Sequence, residues 1–279
     1  MNRIRIVMIS FFSALLLATW TGESAYAQAA AAEAIPNHPA LTSRFTIELG
    51  GFYSRSSTQA SLGPSTGGTG VVVDFENTLG LEERNLSGIA GFLWRISDRW
   101  RLEVEYFSLN RDATRTLATD VVWGDTTFTA GSTVTSKYDF SDIRVSGGYS
   151  FFKRRDKELG AGFGLHVAGI KTSLQASGLG AESTDVTAPL PVLNLYGAFA
   201  LTNEWAMRMR MDWLSLNYDI YHGDFRNVNV DVLYQPFRNV GFGLGVRTLI
   251  LDVEIDDPEW RGKARTSFTG PTFFMSVSF

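Results

Sequence analysis

The sequence has 279 residues, and its 25 basic and 29 acidic residues give a net charge of −4. No cationic excess is therefore available for binding nucleic acid. The absence of cysteine excludes a disulfide framework, a thiol nucleophile and a thiolate metal site. Hydrophobic residues make up 44% of the chain, and the mean hydropathy is −0.01. This balance is typical of strands that alternate apolar and polar residues.

The first 27 residues have the pattern of a secretory signal peptide. Arg3 and Arg5 precede an apolar run over residues 6–18, and small residues occupy positions 25 and 27. The run is too short for a transmembrane helix, which needs about 20 apolar residues. We predict cleavage after Ala27 and export of the chain. Residues 28–43 contain an alanine run and two prolines, and we predict a flexible periplasmic leader there.

From residue 44 onward, apolar residues recur at every second position, which predicts ten strands. They span residues 44–55, 84–97, 99–112, 133–152, 158–174, 187–202, 204–219, 225–237, 239–254 and 263–279. The seventh is the clearest, because three methionines between Trp205 and Trp213 share one parity and Arg208, Arg210 and Asp212 share the other. A helical period of 3.6 residues would mix these two sets. The segment is therefore a strand with one apolar and one charged face.

The connections between these strands alternate between short and mostly longer ones, and the strand number is even. Both features are typical of membrane β-barrels, in which short turns lie on the periplasmic side. We therefore predict an all-β protein: a closed antiparallel transmembrane β-barrel over residues 44–279 with about ten strands, eight or twelve being the alternatives. Closure removes unpaired strand edges, which lipid does not tolerate. A soluble β-sandwich or lipocalin-like barrel would have to expose the charges of the inner face.

The last strand carries the most specific motif of the chain. Its outward parity, counted back from the C-terminus, is Phe279, Val277, Met275 and Phe273. Such a strand with a terminal Phe resembles the closing strand of bacterial outer-membrane β-barrels. In those proteins the assembly machinery recognises this terminal pattern. Outward aromatic residues near other strand ends are candidate girdles at the membrane interfaces: Trp94, Trp100, Tyr149, Trp205 and Trp213.

With its signal peptide and alternation, the chain resembles the small outer-membrane barrels of Gram-negative bacteria, the OmpA-, OmpW- and opacity-protein-like group. The resemblance implies location in the outer membrane, contact with outer-membrane lipids including lipopolysaccharide, and insertion by the barrel assembly machinery. It carries over no functional residues. We expect a monomer that binds no nucleic acid.

The inward parity carries a balanced set of charges together with one histidine. Its members are Glu48, Arg95, Arg101, Glu103, Glu105, Asp142, Arg144, His166, Arg208, Arg210, Asp212, Asp231 and Arg247. One interpretation is a narrow lumen filled by ion pairs, since buried charge is tolerated only when it is paired. The other is a channel that these side chains line. Ten strands enclose little more than their own side chains need, so we favour a structural or surface-exposed barrel over a small-solute channel.

A lipid-modifying enzyme is the third interpretation. Acyl transfer needs a nucleophilic serine beside a base, and His166 has no serine at its second neighbour along the strand. We therefore expect no catalytic site, no cofactor and no metal site.

Overall fold

A computed structural model of the protein describes residues 35–63, 70–218, 221–256 and 261–279. The predicted signal peptide and residues 28–34 of the predicted leader lie outside these ranges. Ten antiparallel strands form the wall, and the first and last of them pair with each other, so the sheet closes into a barrel. The predicted fold class and strand number are confirmed. No helix of the described chain is long and apolar enough to cross a membrane.

The wall strands follow the chain order, and each pairs with its sequence neighbours in the wall. They are β1 (Phe45–Leu62), β3 (Arg84–Arg95), β4 (Trp100–Thr116), β7 (Thr133–Lys153), β8 (Lys157–Ala176), β9 (Gly180–Ala200), β10 (Trp205–Tyr218), β11 (Tyr221–Tyr234), β12 (Val240–Asp256) and β13 (Arg261–Ser278). Three short strands lie outside the wall: β2 (Val73–Asp74), β5 (Val121–Trp123) and β6 (Thr126–Phe128).

The alternation of the sequence sets which face each residue occupies. On β10, Met207, Met209 and Met211 are exposed on the outside of the barrel, whereas Arg210 and Asp212 are buried inside. Period-two separation therefore gives an apolar outer face and a charged lumen. Several strands extend beyond their predicted ends. β1 reaches Leu62 and β9 begins at Gly180, because the outward positions there are polar and no longer alternate in hydropathy.

The two ends of the barrel differ. The end that carries the turns 96–99, 154–156, 201–204 and 235–239, here called the turn end, also holds Phe45 and Phe279. At the opposite end, called the loop end, the connections are of two kinds. Residues 175–186, predicted as a loop, are almost entirely strand with a turn at 177–179, so the prediction of a longer connection there is wrong. Two long connections, 63–83 and 117–132, carry β2 and the hairpin β5–β6.

The chain before β1 closes the turn end. Residues Pro39–Thr42 form a single helical turn, α1, which His38 caps at its N-terminus. Leu41 is buried, and its carbonyl accepts a hydrogen bond from Lys153 Nζ at 2.7 Å. Arg95 donates to the carbonyl of Ala40, also at 2.7 Å. The expectation of flexibility is therefore wrong for residues 35–43, because barrel side chains satisfy the carbonyls of this segment.

Candidate functional site

The charged lumen begins with Arg208 on β10. Its guanidinium donates two hydrogen bonds to Glu48 on β1, at 2.7 and 3.0 Å, and two to Asp231 on β11, at 3.0 and 3.1 Å. Asp231 lies directly opposite Arg208 in the β10–β11 ladder. Two carboxylates therefore hold one guanidinium, in the forked geometry that gives the strongest charge-assisted hydrogen bonds.

Glu103 is the centre of a second group. Arg101 lies 2.8 Å from its carboxylate and Arg144 lies 3.0 Å from it. Arg210 also contacts the same carboxylate. Three guanidiniums from three strands thus converge on one acid, and the excess positive charge is balanced by acids further along the lumen.

Glu105 is one of these balancing acids. Arg247 on β12 contacts its carboxylate, and Arg144 lies 3.5 Å from it. The Arg247 Nε also donates to Asn229 at 3.0 Å. Arg144 therefore bridges the groups around Glu103 and Glu105.

Asp212 and His166 form the third part of the lumen. Arg210 donates to Asp212 at 2.9 to 3.1 Å, and Asn227 donates to it at 3.0 Å. His166 is fully buried between Asp142, 2.8 Å from its Nδ1, and Asp212, 3.6 Å from its Nε2. Most of the inward-facing charged side chains thus form ion pairs with one another inside the barrel.

A further charged cluster lies at the turn end around Glu158, which the sequence interpretation did not count among the lumen charges. Its carboxylate is fully buried and pairs with Arg95 at 2.8 Å and Lys153 at 2.9 Å. Because Glu158 directly follows the charged turn K-R-R-D-K, it was not counted with the inward-facing charges of the strands. Its inward parity on β8 was the signal that could have identified it.

Aromatic rings fill the space that the lumen glycines leave. A Cβ at Gly160 would overlap the ring of Tyr196, and a Cβ at Gly243 would overlap the ring of Phe274. The guanidinium of Arg101 lies 3.1 Å from the centroid of the Tyr196 ring. The glycines therefore admit two large rings and do not widen a passage.

An apolar layer lies between the charged lumen and the loop end, and sequence analysis missed it. It is built from inward-facing phenylalanines whose centroids are 4.9 to 5.8 Å apart: Phe52, Phe107, Phe140 and Phe268. All four are at most 1% exposed. The sequence signal was a pair of consecutive apolar residues, one facing inward and one facing outward, as in Phe52–Tyr53 and Tyr106–Phe107.

The predicted girdle residues lie on the outer face near strand ends. Trp100 packs against Tyr149 with centroids 5.0 Å apart, and Trp205 stacks on Tyr234 at 4.5 Å. Trp94 stacks on Phe45 at 6.2 Å, and Trp213 is exposed. The last strand turns Phe273, Met275 and Phe279 outward, with Val277 partly buried.

The comparisons with known proteins concern the fold. No model of a known protein family matches the sequence, and no curated protein matches it. Among solved structures, the outer-membrane protease OmpT from Escherichia coli has a TM-score of 0.58 at 9% identity, over 84% of this chain and 96% of that chain. The protein has the β-barrel fold of the Gram-negative outer-membrane class. Two further solved structures match over most of the chain.

Both further matches have low TM-scores. The attachment invasion locus protein Ail of Yersinia pestis matches with a TM-score of 0.38 at 7% identity, over 83% of this chain and 97% of that chain. Neisserial surface protein A matches with a TM-score of 0.34 at 13% identity, over 85% and 98%.

The likeness to OmpT overturns one expectation. Sequence analysis predicted that the protein is not an enzyme, because His166 has no serine at its second neighbour along the strand. A protease shares this barrel fold, so the architecture does not separate enzymes from other proteins, and function has to be argued from sites. In the described part of the chain, no group of three or more histidine and acidic side chains could hold a metal ion.

Proposed function

We propose that the protein is a closed β-barrel of the outer membrane, structural or surface-exposed, that conducts no solute through its lumen. The observation that supports it most strongly is the filling of the lumen by three successive layers. These are the segment 35–43 at the turn end, the ion-pair network in the middle and the apolar layer toward the loop end. A water-filled pore would need a continuous polar path, and the buried phenylalanines interrupt it.

The loop end adds a fourth layer. Val73, Phe75, Leu79 and Leu81 of the first long connection are at most 3% exposed, and they pack in the same core cluster as residues of the second long connection. The described parts of both connections therefore fold into the mouth of the barrel, and a core beneath them fixes the surface that they present outward. A fixed outer surface fits a structural or surface-exposed role.

Conductance in planar lipid bilayers tests this proposal. We expect no discrete steps from the purified wild-type protein. The matched comparison is Arg208→Gln, which removes the charge that joins Glu48 and Asp231. Discrete wild-type steps whose ion selectivity changes in Arg208→Gln would refute closure and support the channel. The absence of discrete steps from both the wild type and the variant would support closure of the lumen.

The proposal includes the partners expected from the sequence. Large apolar side chains cover the outside of the wall, among them Phe163 at 75% exposure and Leu244 at 64%, and lipid is the environment in which such exposure is stable. We propose that outer-membrane lipids contact this band directly and that the protein is monomeric. Sedimentation in detergent that yields the mass of a dimer, or recovery in the soluble periplasm, would contradict this.

A further inference from the structure

A small apolar cavity lies at the loop end, inside the barrel wall and apart from the charged lumen. Its volume is about 80 Å³. Its walls are mainly aliphatic and come from β8, β9, β12, β13 and β1, with the hairpin β5–β6 on one side. The residues that line it include Trp123, Ala168, Ile170, Val186, Ala188 and Leu251.

Buried side chains lie between the cavity and the middle of the barrel. The next inward-facing residues toward the turn end are Leu190 on β9, Leu249 on β12, Thr266 on β13 and His166 on β8, and all four are buried. The loop end and the wall are therefore the sides from which a molecule reaches the cavity.

The wall is interrupted beside the cavity, between β9 and β10. Their ladder runs from Ala206–Ala200 to Trp213–Leu193 and ends there, although β9 continues to Gly180 in register with β8. Pro189 and Pro191 follow within β9, and a proline has no N–H to donate. Because the register with β8 is uninterrupted through both prolines, the missing donors are those that would face β10. The sequence itself therefore ends the pairing.

The wall has a second interruption, between β3 and β4, which another segment of the chain covers. The β3–β4 ladder ends at Ile89–Phe107, and the first long connection covers the free edge. Arg111 on β4 pairs with Glu76 at 2.5 Å, and Arg115 donates to the carbonyl of Asn77 at 2.6 Å. By contrast, in the described part of the chain no residue of β9 between Gly180 and Val192 is paired with β10 in the ladder.

The gap between β9 and β10 lies at the level where Trp213 indicates the membrane–water interface on the side of the loop end. Trp213 is the last apolar residue on the outer face of β10, and Ser215 is the next outward position. Exposed tryptophans mark the level at which lipid chains meet polar headgroups. The cavity can thus accept a chain whose polar head stays at this level.

We propose that the cavity binds the end of a linear alkyl chain, which enters through the gap between β9 and β10. Its volume is roughly half that of an engineered apolar cavity of about 150 Å³ that binds benzene, so a narrow chain fits better than a ring system. Small aliphatic side chains match the methylene groups of such a chain. Apolar cavities of this kind stay dry, so entry of a chain displaces no bound water. This binding does not depend on closure of the lumen.

The hairpin β5–β6 forms the outer side of the site. It is tied to the wall by Thr126, which donates to Glu182 on β9 at 2.8 Å, and by the N–H of Gly124, 3.4 Å from the carbonyl of Leu62. Trp123 on this hairpin is 2% exposed and contributes the one aromatic surface of the site.

Single cysteines test the proposal, because the chain contains none of its own. Ala188→Cys puts a thiol in the cavity, and Thr187→Cys puts one on the outer face one residue away. Both variants are placed in nanodiscs of one phospholipid and labelled with N-ethylmaleimide, with and without decanoate. We expect decanoate to slow labelling at position 188 by about tenfold and to leave position 187 unchanged.

The outcomes separate the alternatives. Equal slowing at both positions would show general partition into the bilayer and would overturn the proposal. Labelling at 188 that decanoate does not slow, or no labelling at 188 at all, would overturn it as well. Replacing both Pro189 and Pro191 by valine restores two donors, and we expect the protection by decanoate to develop more slowly as the gap closes.

The source of the chain is read from native mass spectrometry of protein extracted from outer membranes. A retained mass equal to an intact lipid identifies a membrane lipid, and a retained mass equal to a fatty acid identifies a free amphiphile. Ala188→Phe fills the cavity and is expected to lose either mass, whereas Thr187→Phe keeps it. Retention by Ala188→Phe at the wild-type level would contradict the site.

Discussion

Arg208 and Glu48 form a two-point ion pair between β10 and β1, strands that are not neighbours in the wall. A ladder ties each strand only to its neighbours, whereas this pair ties distant parts of the wall across the lumen. Replacement of a buried ion pair by apolar residues is often neutral, but removal of one partner leaves a charge unpaired and is costly. The network should therefore be judged by single substitutions that break it.

Arg210→Ala is the most informative of these substitutions. It removes contacts with Glu103, Asp212 and Ser146 at once. Each of the two acids loses one guanidinium, and Asp212 loses its only arginine partner in the described part of the chain. We expect a loss of about 3 to 5 kcal/mol in the free energy of unfolding, measured by thermal or urea unfolding in detergent.

Arg154→Ala is the matched control, because Arg154 lies exposed in the turn between β7 and β8. Its effect should stay within about 0.5 kcal/mol. Equal melting temperatures for the two variants would mean that the lumen charges are solvated. That result would support a water-filled pore and contradict a closed barrel.

The ring of Phe274 packs against Gly243, and this contact can be tested by compensation. Gly243→Val forces a side chain into the ring, and we expect a loss of about 1 to 3 kcal/mol from overpacking. In the double variant with Phe274→Ala, the smaller neighbour should recover part of this loss. The same substitution at Gly147, whose added Cβ would meet nothing within 4 Å, should have little effect.

Additive losses in the double variant would show that Gly243 and Phe274 do not constrain each other. A coupling energy clearly different from zero, measured in a double-mutant cycle by urea unfolding, would support the filling of the lumen by aromatic rings.

The C-terminal Phe279 closes the barrel at the turn end. Its N–H donates to the carbonyl of Phe45 at 3.0 Å, its carbonyl accepts from the N–H of Phe45 at 2.8 Å, and the two rings are 5.7 Å apart. Deletion of Phe279 removes both hydrogen bonds and the outermost residue of the predicted assembly motif. We expect less protein in the outer membrane and loss of heat-modifiable mobility in gels.

Phe279→Tyr is the control for this deletion, since it keeps the backbone bonds and the ring. It should assemble normally. Assembly of the deletion variant at the wild-type level would contradict the role of the terminal residue. N-terminal sequencing of the assembled protein also tests the predicted cleavage after Ala27.

The alternation of the sequence was sufficient to predict the ten strands and the direction of their side chains. Parity is a local property, so Arg208, Asp212 and Asp231 could be assigned to the lumen without any knowledge of neighbours. Pairing was harder. Parity alone puts Asp231 on the inner face of the strand that follows β10, and only the register shows that it lies opposite Arg208, with Asn227 opposite Asp212. Turn length sets the register, and the sequence pattern does not specify it closely.

The contact of Arg210 with Asp212 shows a second limit. Residues two apart on one strand face are about 6.5 to 7 Å apart along the strand, and this spacing by itself predicts no direct contact. The long arginine side chain bends along the strand and places its guanidinium 2.9 Å from the carboxylate. The cavity beside Pro189 and Pro191 was missed for a similar reason, since it depends on where two hairpins separate, and this is not encoded in any one strand.

The packing of α1 depends on His38, and we predict that it weakens in acid. His38 Nδ1 accepts a hydrogen bond from the N–H of Ala40 at 3.0 Å, and its Nε2 donates to the carbonyl of Glu204 at 3.3 Å. The bond accepted by Nδ1 requires the neutral ring, whereas the bond donated by Nε2 persists in the protonated ring. Burial lowers the pKa of His38 below its usual value of 6.5, against the raising effect of the Glu204 carbonyl. The undocked segment therefore binds protons more readily, so docking is most stable above about pH 6.5 and weakens as the pH falls below that value.

Hydrogen exchange of residues 35–43 between pH 7.5 and 5 measures this effect once the intrinsic pH dependence of exchange is subtracted. We expect protection of Leu41 to fall in acid in the wild-type protein, because its N–H bond to the carbonyl of His38 belongs to the capped turn. His38→Asn is the matched control, since asparagine also caps helices but does not titrate, and its protection should not change with pH. If both proteins lose protection equally, the acid effect arises elsewhere, for example among the ion pairs of Glu158, and His38 does not control the closure of the turn end.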